Sequence, residues 1–527
     1  MHYRDYTNIE MTVVLKNLYK WSEGKGALPC ILCLSLMLKV SIALFTEVIN
    51  SDGVLYISAA QQFASGHFRE GLAIFPMPFY SMLIALVHCF VPHWVIAARF
   101  VSIAASVLVL IPLYFLARDL FDRRAAFWAC FAFSLAPFPN ECSAEVIRGS
   151  TFVFFFTWAV YFAQRAIQST SLLSFSLAAF FSWVAILFRI EGIILFPLFF
   201  LFLACLTIMK SRKRAAYLKG ALVWIAFPVL ICSGVFVAMG PEAMTFNRAA
   251  EVFQRLQNLL NLRFLENYHR IYGQLKFMEY FSPYPGGRQN FAEIARHMMP
   301  VVYLWGLLWS FVKVLFPLFV VPLFFGLRGG SLTRVRVFVL ALTGSYLIAV
   351  YYVLLEMDFI QNRFLLAPAL LLYPWVGEGM DRLFMFLRES SKPAFFSVLF
   401  FIAFALVPIY RCTHWLSKQD GVITAAAEWI AGKDEFRQAK IITTDTRIPF
   451  YAGRERDYMG YENIHHNYIA MEQTAIESQM DLLIIRVSAK IRKYLPDLAV
   501  YKKIKEFTGK KNVAVIYCSP ELHETLS

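Results

Sequence analysis

The sequence predicts a mostly α-helical, polytopic membrane protein with about eleven spans and a small C-terminal α/β domain. Charged residues make up only 16% of the chain and hydrophobic residues 59%, whereas a soluble globular protein has about 25% charged residues. The apolar residues also form many runs of about 20, the length at which a helix crosses a bilayer with its backbone groups hydrogen-bonded internally. Most of the chain is therefore expected to be solvated by lipid.

Basic residues predict the orientation of the spans, because Lys and Arg next to a span stay on the cytoplasmic side. The net charge of +14 comes from short basic clusters between apolar runs, so it indicates topology rather than nucleic-acid binding. Lys16, Lys20 and Lys25 precede the first run, and the densest cluster lies at residues 210–214. One alternating topology keeps every such cluster, with the N-terminus, in the cytoplasm.

The membrane domain is expected to cover residues 1–411, with outer loops at 50–94 and 240–300. Its predicted spans are residues 27–49, 97–117, 125–137, 150–163, 172–188, 193–208, 220–239, 301–327, 335–355, 364–379 and 394–410. The apolar segment 75–91 is predicted to lie in the outer leaflet without crossing, since a crossing there would invert every later cluster. The loop 240–300 is too long for a simple turn, which favours a functional role.

Residues 412–527 turn polar and predict a small α/β domain on the outer side. Strands are expected at 440–444, 482–487 and 512–518, and helices at 423–431 and 473–480. Two cysteines outside the spans, Cys412 and Cys518, leave open a bond between them.

Asp52 is the first candidate for chemistry, since it follows the first predicted span. The helix after it has an apolar stripe at helical spacing, formed by Tyr56, Ala59, Ala60, Phe63 and Ala64. Such an amphipathic helix lies on the outer leaflet and would hold Asp52 at the rim of the bilayer. Two interpretations are open: Asp52 caps this helix, or its carboxylate acts as a base.

A predicted outer turn holds Glu141, Glu145 and Arg148. Charges near a membrane are costly and are kept for partners or for function. The turn either holds a divalent cation or pairs its charges internally.

Three more charged residues lie at a similar predicted depth on the outer side. Arg189 and Glu191 form either an interfacial ion pair or part of a site, and Arg363 either anchors its helix or binds a ligand. Guanidinium groups match phosphate oxygens well. Together with Asp52, these residues suit a reaction in which a carboxylate deprotonates an acceptor while arginines hold a phosphate leaving group.

Several segments, in this order and spacing, resemble the GT-C membrane glycosyltransferases, especially the branch of protein O-mannosyltransferases and bacterial lipid A aminoarabinose transferases. They are SDGVLYISAA at 51–60, FPMPFYSMLI at 75–84, ARF at 98–100, YFLARDLFDRRA at 114–125, FRIEG at 188–192 and RFLLAP at 363–368. The resemblance implies transfer of a hexose or pentose, with inversion, from a polyprenyl-monophosphate donor. The acceptor would be a protein, lipid or glycan on the outer or lumenal face.

The resemblance also implies roles for individual residues. Asp52 matches the essential acid of the family's first outer loop and is expected to be the general base; Gly53 stands where many relatives have a second acid. The expected substrate-binding residues are Glu145, Arg148, Arg189, Glu191 and Arg363. The sequence has no His/Cys ligand spacing that requires a metal, and a divalent cation on Asp52 and Glu145 stays an alternative.

The main alternative function is a transporter or flippase of a lipid-linked substrate, and a third is a scaffold whose α/β domain binds a partner. A transporter should carry charged or broken helices at mid-membrane, whereas the polar residues here crowd to one face. The favoured interpretation is a glycosyltransferase of the bacterial inner membrane, with a periplasmic C-terminus. Its partners would be the donor, the acceptor and membrane lipids, without nucleic acid.

Overall fold

A computed structural model of the chain describes residues 23–24, 26–209, 213–240, 249–280, 291–329, 331–388, 393–416, 421–454, 458–461, 467–495 and 497–526. The N-terminal lysines and residues 210–212 of the densest basic cluster lie outside the described residues. Their predicted cytoplasmic placement therefore stays a prediction.

Helices form most of the described chain, and each predicted span corresponds to helical structure. These helices are Ala27–Phe45, Trp94–Leu108 with Leu110–Leu120, Arg123–Leu135, Gly149–Ser169, Leu172–Phe188, Leu195–Ile208, Arg214–Met239, Phe291–Leu315 with Pro317–Arg328, Arg334–Met357, Leu366–Arg388, and Pro393–Phe401 with Val407–Leu416. Seven helical segments of the described chain are long and apolar enough to cross a membrane. The predicted fold class, a helical membrane bundle with a small C-terminal sheet, is confirmed.

The eighth predicted span, residues 301–327, is wrong as a single helix. The chain breaks at Phe316, which has a φ of +80°, and Pro317 begins the next helix. Proline lacks the N–H that would continue the preceding helix and suits a first turn. The second helix then packs closely on Leu366–Arg388, where a Cβ added at Gly326 would lie 1.9 Å from the carbonyl oxygen of Trp375.

Charged turns gather on two opposite faces of the bundle. On the basic face, Arg124 lies 3.8 Å from Asp381, and Arg336 donates to the carbonyl oxygen of Leu120 at 2.8 Å. These are turns that the charge pattern assigns to the cytoplasm. The opposite face, called the Asp52 face below, carries Asp52 and the C-terminal domain.

The first loop on the Asp52 face forms three helices, Ser51–Ala64, Phe68–Ile74 and Phe79–His88. The third has 10 residues and is about 15 Å long, half the thickness of the hydrocarbon core, so it does not cross. Tyr56 of the apolar stripe packs against Phe75 and Tyr80, with ring centroids 4.9 and 5.1 Å away. The stripe therefore faces protein more than lipid.

A buried lysine in the first helix escaped the sequence analysis. Lys39 is fully buried within Ala27–Phe45 and donates to Oδ1 of Asn140 in the short helix Pro137–Ala144. Asn140 in turn donates to the carbonyl oxygen of Ser134 at 3.2 Å. A charge at this depth needs such a partner, and the pair ties the first helix to the segment that leads to Glu145.

The C-terminal domain contains a five-stranded mixed sheet with the order β2-β1-β3-β5-β4. The strands are β1 Ile441–Thr443, β2 Tyr458–Gly460, β3 Leu482–Ser488, β4 Lys502–Thr508 and β5 Asn512–Cys518. β1 pairs in parallel with β2 and β3, whereas β5 is antiparallel to β3 and β4. The sequence analysis missed β2 and β4, which lie at the two edges and carry exposed, lysine-rich or short sequences.

Cys412 and Cys518 do not form a disulfide. Cys412 is buried against the first helix, beside Ile42 and Ala43, whereas Cys518 is buried within the sheet. The helix Val407–Leu416 also continues past the predicted domain boundary at residue 411.

A buried ion cluster holds the end of β1 in place. Arg447 donates to Asp445 through Nε at 2.8 Å and through Nη2 at 2.7 Å, and Arg486 lies 3.1 Å from the same carboxylate, which is 5% exposed. Burial raises the pKa of Asp445, but the hydrogen bonds and charge of Arg447 and the charge of Arg486 outweigh it. The net pKa lies below the usual value.

Asp445→Asn is expected to destabilise the C-terminal domain by about 3 to 5 kcal/mol at neutral pH, because two partly buried guanidinium groups lose their buried counter-ion. A carboxyl whose folded pKa is depressed contributes fully above its unfolded pKa, about 3.9, and loses this contribution as the pH falls through the folded value. Hydrogen exchange of the β1 amides across pH 3 to 7 should show this acid-dependent loss in the wild type and less of it in the variant. Asp434→Asn, at an exposed pair with Arg437, is the matched control and should change stability by less than about 0.5 kcal/mol. Equal behaviour of the two variants would contradict the prediction.

Candidate active site

A cavity of about 500 Å³ opens on the Asp52 face of the bundle. Its charged lining residues are Arg148, Arg189, Glu191, Glu251, Arg255 and Arg363. Four of the five predicted substrate-binding residues thus line one cavity, and Glu145 does not. Much of the remaining wall is apolar and includes Ile193, Ile194, Leu256, Leu259, Val350 and Val353. The arrangement suits a ligand with an anionic group and an apolar chain.

Asp52 lies at the start of helix Ser51–Ala64, but it is not the residue that caps the helix. Asn50 is the N-cap, and its Oδ1 accepts a hydrogen bond from the Asp52 backbone N–H at 3.1 Å. The Asp52 carboxylate instead forms an ion pair with Arg363, a cavity-lining residue. The side chains of Asp52 and Arg363 are 30% and 24% exposed, so both groups remain partly accessible.

Arg189 and Glu191 form an ion pair, which is one of the two expectations from the sequence. Both residues also line the cavity. The helix Leu172–Phe188 ends here, and the 3₁₀ turn Ile190–Ile194 brings the two side chains together. Arg189 Nε lies 3.3 Å from Glu191 Oε2, and its guanidinium lies 5.1 Å from the ring centroid of Phe364. The Arg189 side chain is only 2% exposed, which makes this charge dependent on its partner.

Arg148 is positioned by the first outer loop. It precedes helix Gly149–Ser169, donates to the carbonyl oxygen of Phe188 at 3.2 Å and contacts the sulfur of Met77. Its guanidinium lies over the ring of Phe75 at 4.9 Å, a cation–π contact. The resembling segment at 75–84 thereby holds Arg148 at the cavity wall.

Tyr56 is a site residue that the sequence analysis treated only as part of an apolar stripe. Burial raises the pKa of its phenol, and the charges of Arg148, Asp52, Arg363 and Arg189 all act on it. Tyr56 therefore stays protonated and lies among the charged groups of the site. Its place one helical turn after Asp52 was the available signal.

A helix that the sequence analysis missed, Ala249–Leu260, covers the cavity. Its Arg255 forms an ion pair with Glu356 at 2.6 Å, and Asn258 donates to the same carboxylate at 3.0 Å. Leu256 and Leu259 contribute to the apolar wall. The helix lies within the long loop 240–300, which supports the expectation that this loop has a role at the site.

Glu145 lies in a different cavity, of about 280 Å³, between the membrane helices and the C-terminal domain. Its backbone oxygen accepts from the Asn50 N–H at 3.0 Å, next to Asp52, but its carboxylate interacts with Arg447 and Asn50. Burial raises the pKa of Glu145, and Arg447 and the Asn50 hydrogen bond only partly offset this effect. The grouping of Glu145 with the cavity arginines, expected from the resemblance, is therefore not what the structure shows.

Comparisons with known proteins identify the fold. The family model described as dolichyl-phosphate-mannose-protein mannosyltransferase matches residues 75–232. The structure is similar to ArnT from Cupriavidus metallidurans in the apo state, with 14% identity and a TM-score of 0.52 over 93% of this chain and 98% of that one. The complex of that ArnT with undecaprenyl phosphate gives 14% identity and a TM-score of 0.54, over 94% and 98% of the two chains. The chain has the GT-C fold.

The Archaeoglobus fulgidus oligosaccharyltransferase in the apo form is also similar to this GT-C chain, with 14% identity and a TM-score of 0.56. The match covers 93% of this chain and 74% of that one. No curated protein sequence gives a match. The predicted GT-C fold is confirmed.

Gly53, the residue after Asp52, lies against the turn that contains Glu145. A Cβ added there would lie 3.2 Å from Val146 Cβ and 3.4 Å from the carbonyl oxygen of Glu145. These contacts are tight, so a side chain at this position would require its neighbours to shift by a few tenths of an ångström.

The described residues of this GT-C chain do not fit a divalent cation at Asp52 and Glu145. No group of three or more His, Cys, Asp or Glu side chains within them is placed to hold a metal. Glu145 lines the smaller cavity and Asp52 does not, and each carboxylate interacts with an arginine, Arg447 for Glu145 and Arg363 for Asp52. No step of the proposed reaction is therefore derived through a metal.

Proposed function

We propose that this GT-C protein transfers a sugar from a polyprenyl-monophosphate donor to an acceptor on the outer face of the membrane, with Asp52 as general base. The observation that carries the proposal is the ion pair between Asp52 and Arg363, one of the four arginines that line the cavity. The base is therefore in direct contact with one of the arginines that can bind an anion.

The cavity suits the donor in both charge and shape. Arginines bind phosphate oxygens through paired, charge-assisted hydrogen bonds. Its volume lies within the range of about 300 to 1,000 Å³ typical of small-molecule sites. The apolar residues along its wall suit the first units of a polyprenyl chain, and the undecaprenyl phosphate of the similar ArnT complex supports a donor of this class.

The reaction then needs only groups that the site provides. The Asp52 carboxylate takes the proton of an acceptor hydroxyl or amine as the acceptor atom attacks the anomeric carbon. The bond between that carbon and the phosphate oxygen breaks, and the phosphate leaves with the bonding electrons and an added negative charge. Arg148, Arg189 and Arg363 stabilise this charge as it develops.

The ion pair between Asp52 and Arg363 gives the reaction an order. In the structure, Arg363 neutralises the carboxylate that serves as the base. A phosphate in the cavity competes for the same guanidinium and releases Asp52. The donor is therefore expected to bind before the acceptor is deprotonated.

The outer placement of the site rests on the charge pattern. The basic turns lie on the face opposite Asp52, and such turns stay in the cytoplasm. In a bacterium the Asp52 face and the C-terminal domain would then lie in the periplasm, with the bundle in the inner membrane. The acceptor, whether protein, lipid or glycan, would be presented there.

The test is a transfer assay with the full-length protein reconstituted in liposomes. Polyprenyl phosphates that carry labelled hexoses or pentoses are supplied with peptide, lipid and glycan acceptors. The expected result is movement of label from the polyprenyl fraction to one acceptor class. Movement of the intact labelled lipid across the bilayer, without transfer, would instead show a flippase and overturn the proposal.

A further inference from the structure

The turn before helix Leu366–Arg388 carries two buried polar atoms that have no protein partner among the described residues. They are Gln361 Oε1 and Arg363 Nε, which have no hydrogen-bond partner among the described residues, and both side chains line the cavity. A buried polar group left unpaired costs about 1 to 3 kcal/mol. Two such groups on one turn indicate that a ligand supplies the missing bonds.

The backbone fixes these two side chains relative to each other. The 3₁₀ turn Asn362–Leu365 begins directly after Gln361, whose carbonyl oxygen accepts from the Phe364 N–H at 3.0 Å. Arg363 uses Nη1 for its ion pair with Asp52, so its Nε remains for a second partner. The turn therefore presents a neutral amide and a guanidinium side by side.

The two groups call for different chemistry in the ligand. The guanidinium Nε donates, and in this cavity of arginines its natural partner is a phosphate oxygen. The Gln361 amide is satisfied by a hydroxyl in either orientation, because a hydroxyl both donates and accepts. Gln361 is the sole amide among the described lining residues. A ligand that offers a hydroxyl close to a phosphate is a sugar phosphate, and a bare polyprenyl phosphate is not.

We propose that Gln361 is a specificity-determining residue that hydrogen-bonds a hydroxyl of the donor sugar, while Arg363 next to it binds the donor phosphate. This inference rests on the proposed function, since it names a residue that recognises the sugar of the donor. It predicts that Gln361 distinguishes sugar-bearing donors from polyprenyl phosphate itself, and one sugar from another.

The test compares binding of two ligands, polyprenyl phosphate and a polyprenyl-phosphate sugar that the wild type transfers, to the full-length protein in detergent. Gln361→Leu is expected to weaken binding of the sugar-bearing ligand about tenfold and to leave binding of polyprenyl phosphate within about twofold. Retained binding of polyprenyl phosphate also shows that the variant is folded. The matched control is Gln164→Leu, because Gln164 is another buried glutamine with an unpaired amide, in helix Gly149–Ser169 and outside the cavity lining. It should change neither affinity.

A set of donors that each lack one sugar hydroxyl sharpens the test. Removal of the hydroxyl that Gln361 binds should weaken wild-type binding as much as Gln361→Leu does, and should have no further effect in that variant. The inference is overturned if the Gln361→Leu protein binds both ligands like the wild type, or if its affinity for both ligands falls equally. The proposed function stands in either case. If the wild type neither binds nor transfers from any sugar-bearing donor, the proposed function falls and the inference with it.

Discussion

Replacement of Asp52 by Asn is expected to lower the rate of sugar transfer by about 10²- to 10⁴-fold, the usual contribution of a general base. The substitution keeps the size of the side chain and removes its ability to take a proton. Asn50 still caps the helix, so the local backbone should be retained. The affinity for the donor should equal or exceed that of the wild type, because Arg363 no longer forms an ion pair with a carboxylate at position 52.

The measurement combines the initial rate of label transfer with the affinity for the donor, for Asp52→Asn and Asp52→Ala. Glu70→Gln is the matched control, since Glu70 is an exposed carboxylate in the same outer loop. It should transfer at the wild-type rate. Wild-type transfer by both Asp52 variants would remove Asp52 as the base, whereas loss of donor binding together with transfer would make it a binding residue.

Features that depend on composition and local pattern were predictable from the sequence. The apolar runs and the basic clusters between them predicted the order of the spans. Each span must satisfy its own backbone hydrogen bonds in lipid, and each flanking basic cluster stays in the cytoplasm, so both signals are local. The position of segment 75–91 relative to the basic clusters identified it as non-spanning, because a crossing there would invert every later cluster. Asp52 stood out because it directly follows the first span and matches a motif.

Features that depend on contacts between distant segments were not predictable in the same way. Asp52 and Arg363 are 311 positions apart, and no periodicity relates them. Glu145 and Arg148 are neighbours in sequence, yet the turn sends one towards Arg447 and the other into the cavity. The unpaired amide of Gln361 also becomes visible only when its surroundings are known.

Some misses had a local signal that was outweighed. Pro317 within the eighth predicted span already indicated the break at Phe316, but the hydropathy of the whole run dominated the interpretation. Lys39 within the first span was likewise visible, and its buried partner Asn140 was not. An apolar run therefore predicts that a segment crosses the membrane better than it predicts the regularity of the helix.

The ion pair of Arg189 and Glu191 gives the second large expected effect. Glu191→Gln is expected to destabilise the protein by about 3 to 5 kcal/mol, because it leaves a guanidinium that is 2% exposed without its counter-ion. The free energy of unfolding in detergent, followed with chemical denaturant, measures this loss. Arg165→Gln is the control, since Arg165 forms a more exposed pair with Asp119 on the basic face, where an ion pair contributes about 0 to 1 kcal/mol.

The double replacement Arg189→Met with Glu191→Leu separates stability from function. Removal of both charges avoids the unpaired ion, so most of the stability should return, as is usual when a buried ion pair is replaced by apolar residues. Donor binding should be weakened in the double variant, because Arg189 also lines the cavity and is expected to hold the phosphate. A double variant that regains stability and binds the donor like the wild type would show that the pair only stabilises the fold, and the phosphate would then depend on Arg148 and Arg363.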